Sequence, residues 1–476
     1  MDSSLKRNLA WDYLSKFGNT FFSLITTSIL ARLLTPADYG LVGISAAVNG
    51  IAGIFFNFGL ASAIIQADKL DKKILSTVFY FNQMIAVSLW LLIFISADSI
   101  EHFYKIDQLS NVLFFTSLVF IINGALMVPN ALLSKEMKFK TISLISLASN
   151  FLSGTIGIIL AMNNFGVWSL VVQQLCNSFF ILTGSYFVTR WYPIIFFNIK
   201  SIYPMLKFGF FMFLSGLLDG IFSRIDIFLI AKIFSAGTLG LYTRAQGLES
   251  QVRILSANSL IGVLFPAFTK IKHDTEELKR LYYRFFELVS FSFCLLAGIF
   301  FIGAEQLFLL LFGPQWNISA HYFQLLIIVG FAYPLSSLTL SIIEARGNSK
   351  SFFKLEIIKK LLFLPTYFIA YYYGIEAYLL SYIVFCIIGT FVNVLFLTFE
   401  IPIKVFVTVL QLGRYFTSSV FIILILFLVQ QQLKYANSLI IAGTEIALFT
   451  GIYFTIHQLA KSKGLKYSIE LIRNKS

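Results

Sequence analysis

Inside one long apolar stretch, Gln246, Glu249 and Arg253 recur at i, i+3 and i+7, so a helix would present all three on one face. Glu249 and Arg253 are also four apart, the spacing at which a carboxylate and a guanidinium pair along a helix. An ionised group in hydrocarbon is costly, and it normally faces a wet cavity or a counter-charge. Arg253 falls near the expected midplane, where it suits an anionic ligand, with Glu249 balancing that charge or exchanging a proton. A structural ion pair is the competing reading.

A second polar stripe is Asp219, Ser223 and Asp226 at i, i+4 and i+7, with Arg224 about 100° round the helix from Ser223. Asp219 or Asp226 is a candidate coupling-ion ligand, although Arg224 and Asp226 holding helices together is the favoured alternative. Near the N-terminus, Asp12, Lys16, Asn19, Ser23 and Thr27 form a continuous polar line expected to face water. Lys16 either contacts a ligand or snorkels to the interface. Arg32 and Arg244 fall close to the opposite interface, where anchoring is the stronger reading. Gln173, Gln174 and Asn177 offer hydrogen bonds to hydroxyl groups or, more commonly for such residues, to neighbouring helices.

Composition sets the elements that carry these stripes. Of 476 residues, 58% are hydrophobic and 12% charged, and mean hydropathy is +0.82; soluble chains carry about twice that charged share. The apolar residues fall into runs of about 20, the length a helix needs to cross about 30 Å of hydrocarbon. Expected spans lie near 13–33, 40–61, 74–97, 109–131, 141–162 and 166–188, then 207–232, 239–265, 285–304, 319–343, 356–373, 376–398, 411–430 and 438–459. The expected fold is an all-α integral membrane protein with about fourteen transmembrane helices. Lys6 and Arg7 precede the first run as in a signal peptide, but no small-x-small site follows, so that span is expected to be retained. Cys176, Cys294 and Cys386 all lie within apolar runs and read as packing residues.

The net charge of +13 matters less than its distribution. One alternate set of loops is basic: Lys69, Lys72 and Lys73; Lys135, Lys138 and Lys140; Lys270, Lys272, Lys279, Arg280 and Arg284; Arg346, Lys350, Lys354, Lys359 and Lys360; and the tail from Lys461. The opposite set holds only Arg32, Lys105, Lys232 and Lys434. Lys and Arg are retained on the cytoplasmic side, so both termini are expected there.

Ala31-Arg32-Leu33-Leu34-Thr35-Pro36-Ala37-Asp38-Tyr39-Gly40-Leu41 aligns without a gap on Ala231-Lys232-Ile233-Phe234-Ser235-Ala236-Gly237-Thr238-Leu239-Gly240-Leu241, 200 residues later. A weaker echo pairs Phe165-Gly166-Val167-Trp168-Ser169-Leu170 with Tyr373-Gly374-Ile375-Glu376-Ala377-Tyr378. Six spans separate the copies each time, which keeps orientation and predicts two parallel six-helix repeats. The expected organisation is a first bundle over 1–189, a linker over 190–206, a second bundle over 207–400, and two extra helices with a basic tail over 401–476.

Enzyme classes lack their signatures. There is no DxD for a metal-bound nucleotide sugar and no GxxxxGK[ST] for a nucleotide-driven pump. His102, His273, His321 and His457 are scattered without HExxH, and neither a metal nor a nucleic-acid partner is expected. The runs Leu33-Leu34-Thr35-Pro36-Ala37-Asp38-Tyr39-Gly40 and Ala131-Leu132-Leu133-Ser134-Lys135-Glu136-Met137-Lys138-Phe139-Lys140, with Arg224-Ile225-Asp226 leading to Leu239-Gly240-Leu241-Tyr242, resemble Wzx-type polysaccharide and O-antigen exporters. The resemblance is to the colanic-acid-exporter-like branch of the multidrug/oligosaccharidyl-lipid/polysaccharide superfamily and covers essentially the whole chain.

It implies a MATE-like V of two six-helix bundles around a central cavity in the bacterial inner membrane. The implied cargo is an oligosaccharide repeat unit on undecaprenyl diphosphate, for lipopolysaccharide, capsule or exopolysaccharide, with a polymerase and an initiating glycosyltransferase as neighbours. On that reading Arg253, Arg224, Lys16, Gln246 and Arg244 are headgroup candidates. Glu249, Asp219 and Asp226 serve charge balance or coupling to an H⁺ or Na⁺ gradient, and no cofactor is implied. The same superfamily also contains drug/cation antiporters, which would favour an acidic cavity over this mixture of arginines and acids, and the peptidoglycan-precursor flippase.

Overall fold

The computed structural model describes residues 3–56, 60–66, 71–203, 220, 223–330, 332–430 and 438–473. Those residues form helices and contain no strand, as an apolar solvent requires, since only a helix or a closed barrel pairs every backbone group internally. The first helices are α1 (Ser3–Leu33), α2 (Pro36–Phe56), α3 (Leu60–Gln66), α4 (Lys72–Tyr104), α5 (Leu109–Ser117), α6 (Val119–Lys135), α7 (Phe139–Met162) and α8 (Val167–Thr189). After the linker follow α9 (Ile225–Ile233), α10 (Ala236–Lys270), α11 (Thr275–Leu311), α12 (Asn317–Val329) and α13 (Ala332–Ala345). The chain ends with α14 (Ser349–Leu397), α15 (Val405–Gln430), α16 (Ser438–Leu459) and α17 (Lys463–Arg473).

Among the described residues, ten helical stretches are long and apolar enough to cross a membrane. One of them, α14, has 49 residues, about 73 Å as an unbroken helix and more than twice the hydrocarbon thickness. It is broken at Gly374, where φ is 87°. That position needs glycine, and it divides the helix where the sequence separates spans 356–373 and 376–398. Gly166, the partner of Gly374 in the weaker echo, opens α8 with a φ of 53°. α1 and α10, at 31 and 35 residues, are long enough to span and carry the polar stripes. The span expected over 207–232 is described as a helix over α9, and Asp219 lies outside the described residues.

The chain forms two compact units, Met1–Thr243 and Arg244–Ser476, that divide within α10. In the first, α7 packs between α1 and α8, α6 packs against α4 and α8, and α9 packs on α2 and α4. The linker is tied down there: Trp191 and Ile202 are buried beside Leu75 and Val78, and Ser76 and Thr77 accept from the backbone of Ile194 and Asn198 at 3.0 and 3.3 Å. In the second unit α11 is central, contacting α12, α13, α15, α16 and α17. Phe286, Val289 and Phe293 on α11 pack with Leu335, Leu338 and Ile342, while Phe291 and Cys294 face Tyr415, Phe449 and Tyr453.

The repeated eleven-residue segment has a structural counterpart inside the first unit. Each copy starts a helix by side-chain capping. Thr35 and Asp38 bond reciprocally, with the Thr35 amide donating to Asp38 Oδ2 at 2.9 Å and the Asp38 amide to Thr35 Oγ1 at 3.3 Å. Pro36 at the first helical position needs no amide partner. In the second copy Ser235 Oγ accepts from the Thr238 amide at 3.2 Å. The two helix starts then cross at Gly40 and Gly240. A Cβ on Gly40 would fall 1.9 Å from the Ala236 carbonyl oxygen, and one on Gly240 would fall 1.7 Å from the Pro36 carbonyl oxygen. Since Ala236 is the repeat partner of Pro36, the contact is symmetric between the copies.

Gly40→Ala or Gly240→Ala should therefore each lower stability by about 1–3 kcal/mol, the usual cost of overpacking. The double variant should cost less than the sum, because the first methyl already separates the backbones. Thermal unfolding of the purified protein in detergent would check this, and additive losses would contradict a shared crossing.

Candidate functional site

The second unit holds the stripe on α10. Arg253 Nε lies 3.3 Å from Glu249 Oε1, one helical turn away. The guanidinium also lies over the Tyr333 ring on α13, with Cζ 4.4 Å from the centroid. Glu249 is 8% exposed and packs where α12 gives way to α13: a Cβ on Gly330 would stand 3.3 Å from its Oε1. The Arg253 side chain is 28% exposed, against 10% for that of Glu249. Glu249 meets the guanidinium in its plane and the Tyr333 ring covers one of its faces. Gln246 lies on the same helix face, toward the N-terminal end of α10.

Arg244 begins this unit on the same helix, nine residues and about 13 Å before Arg253. Its Cζ lies 4.2 Å from the Phe312 ring and 5.6 Å from that of Trp316, both buried. This aromatic seat fits the anchoring role more directly than contact with a ligand.

The first unit holds a separate polar cluster. Arg224 caps α9, and its Nη1 donates to the Gly220 carbonyl at 3.2 Å and to Ser223 Oγ at 3.5 Å. Its guanidinium occupies the space beside Gly50 on α2, where a Cβ would fall 2.1 Å from Nε. Asp226 Oδ2 accepts from the buried Tyr242 hydroxyl at 2.7 Å, so the acid is tied to the start of α10. Lys16 lies in α1, and its side chain is outside the described residues, as is Asp219.

The polar line of α1 was expected to face water, and at Asn19 it faces α7 instead. Asn19 Oδ1 accepts from Asn150 Nδ2 and, at 3.3 Å, from Ser146 Oγ. Asn177 donates to Asn150 Oδ1 at 2.5 Å and to Ser153 Oγ at 3.3 Å, which joins α8 to the same network. Amides at membrane depth take up one another when a neighbouring helix is within reach. Sequence periodicity located Asn19 and Asn177 but not Asn150, because it reports which face a residue occupies and not which helix lies opposite. For the same reason Tyr333 is not distinguished among many aromatic residues of similar spacing, and Tyr242 enters only as part of a motif and not as the partner of Asp226. Among the described residues, no group of His, Cys, Asp and Glu is arranged to hold a metal ion.

With this geometry established, comparison with known proteins places the chain. Residues 29–321 match the family described as Polysaccharide biosynthesis protein. The chain is 28% identical over 316 residues to the succinoglycan biosynthesis transport protein ExoT of Rhizobium meliloti, covering 66% of this chain and 63% of that protein. It is 27% identical over 346 residues to the lipopolysaccharide biosynthesis protein WzxC of Escherichia coli, covering 72% and 70%. Among solved structures, it is similar to the lipid II flippase MurJ in an inward closed conformation, with a TM-score of 0.69 at 15% identity over 93% of this chain and 98% of that one. That last likeness is one of fold.

Removing Arg253 leaves a buried carboxylate without its partner. Arg253→Ala should lower stability by about 1–3 kcal/mol, less than a fully buried pair because Arg253 is partly exposed, and Glu249→Gln in addition should restore part of it. Tyr333→Phe should be nearly silent and Tyr333→Leu should lose about 0.5–2 kcal/mol of cation–π contact. Thermal unfolding of the variants in detergent would measure both comparisons.

Proposed function

The chain belongs to the polysaccharide biosynthesis protein family, and from that premise we propose that it is a flippase for undecaprenyl-diphosphate-linked oligosaccharide repeat units. It acts by alternating access in the bacterial inner membrane, serving the assembly of a surface polysaccharide. A polyprenyl diphosphate-sugar must bring an anionic, hydroxylated headgroup through hydrocarbon while its tail stays in lipid. The observation that carries the reading is Arg253, a partly exposed guanidinium held by Glu249 and Tyr333 within an apolar helix bundle. The family relationship to proteins named for succinoglycan and lipopolysaccharide biosynthesis supports the same cargo class.

In this reading Arg253 meets the diphosphate and Gln246 adds hydrogen bonds, with Arg244 the weaker candidate; Arg224 and Lys16 are further headgroup candidates, each considered within the first unit alone. Glu249 and Asp226 balance charge and couple transport to an H⁺ or Na⁺ gradient, with Asp219 a further candidate acid. The architecture is fourteen spans in two six-helix repeats plus two C-terminal helices, with both termini cytoplasmic as the basic loops require. A polymerase and an initiating glycosyltransferase would act on the same lipid carrier. The alternative, a MATE-like cation-coupled drug antiporter, is disfavoured because Arg224, Arg244 and Arg253 accompany the acids.

The decisive experiment is translocation of a labelled undecaprenyl-diphosphate oligosaccharide in proteoliposomes. The intact protein should move it, and Arg253→Ala, with folding intact, should slow that movement by on the order of tenfold or more. Movement of lipophilic cations without movement of the lipid-linked sugar would favour the antiporter. Transport that persists after both ion gradients are collapsed would remove the coupling role of the acids.

A further inference from the structure

Helix α17 (Lys463–Arg473) is docked against the ends of longer helices through Gly464 and Leu465 on its inner side and through Tyr467 and Glu470 further round the helix. The Gly464 amide donates to the Tyr415 hydroxyl at 3.2 Å, and that hydroxyl donates to the Glu287 carboxylate of α11. Leu465 is buried beside them with Phe291 and Tyr453. Arg284 of α11 reaches Glu470 at 3.1 Å and lies 5.0 Å from the Tyr467 ring. Arg414 of α15 donates to the Ala460 carbonyl at 2.9 Å and fixes the turn before the helix.

Glu470 is the one acid in α17, and its charge is met by Arg284. Lys461, Lys463 and Lys466 are exposed, and among the described residues none of them has a carboxylate within ion-pair distance. Ile469, three residues after Lys466, is 53% exposed and flanks the lysine face, on which Glu470, four residues after Lys466, is neutralised by Arg284. The outward side of the helix therefore presents ammonium groups beside an apolar side chain. α15 and α16, which lead into this region, are apolar spans, so their ends lie at a membrane surface.

We propose that α17 is a membrane-surface helix whose lysines engage anionic phospholipid headgroups while Ile469 enters the boundary between headgroups and acyl chains. Charge complementarity selects this occupant. Ammonium groups with no carboxylate partner among the described residues follow directly on the end of an apolar span, and an anionic surface within a Debye length attracts each of them. The lysine stems reach along the interface while Ile469 gains burial. The inward contacts make the helix rigid before it meets lipid, so little ordering is required on binding. The inference rests on the membrane reading of the chain and is independent of its cargo.

The test uses the full-length protein reconstituted in mixed phosphatidylcholine and phosphatidylglycerol, with retained lipid counted by native mass spectrometry. Wild type should enrich phosphatidylglycerol. The triple variant Lys461→Gln/Lys463→Gln/Lys466→Gln should lose enrichment by on the order of fivefold per lysine at most, and the corresponding triple arginine variant should keep it. Equal enrichment in the glutamine variant, at an unchanged thermal midpoint in phosphatidylcholine, would overturn the proposal. So would complete displacement by inorganic phosphate at constant ionic strength, which would mark a soluble-anion site. Should the triple variant fail to fold, Ile469→Asp alters only the outward side and should also reduce enrichment, whereas unchanged enrichment there counts against the proposal. Cargo translocation measured on the same preparations separates this outcome from the flippase reading.

Discussion

A hydrocarbon slab offers no hydrogen-bond partner, and most of this structure follows from that single deprivation. Each stretch in the apolar layer must satisfy its own backbone, so it is helical, and polarity is left for the turns and for a few side chains. Helix starts carry their own acceptors, as Thr35 with Asp38 and Ser235 with Thr238 show. Helix association in lipid cannot draw on the exclusion of water and depends on close contact. The Gly40–Gly240 crossing is the tightest expression of this, with two backbones touching where any side chain would intervene.

The same deprivation governs the charges. Glu249 is paired with Arg253, Arg253 is also seated on Tyr333, and Asp226 is tied to Tyr242. These arrangements differ in how much they leave available. Asn19, Asn150 and Asn177 use much of their capacity on one another and act as cross-links between helices. Arg244 spends its cationic face on Phe312 and Trp316. Arg253 differs from these in remaining partly exposed beside its acid and its ring.

Fold alone does not select the cargo, because one helical architecture accommodates headgroups of different charge. Selection lies in the sign and placement of a few intramembrane groups, and here arginines accompany the acids. The proposed anionic, lipid-linked cargo rests on two separate observations, the family match over residues 29–321 and the placement of specific side chains. The basic C-terminal helix adds a separate use of charge, at the surface and directed at the bilayer itself.

Much of the fold was legible in the sequence because hydrophobic length and glycine placement are local properties. Runs of about 20 apolar residues specify membrane helices; Gly374 marked the break in α14, and the repeated Thr35 and Ser235 segments marked equivalent helix starts. The i, i+4 spacing likewise anticipated the Glu249–Arg253 pair, whose partners share one helix. Sequence could not supply which helices meet. Tyr333 beneath Arg253, Asn150 between Asn19 and Asn177, Gly50 beside Arg224 and the Gly40–Gly240 contact each join residues far apart in the chain. Helical periodicity assigns a residue to a face, but the neighbour on that face is chosen by packing over the whole unit, and only the tertiary structure decided it.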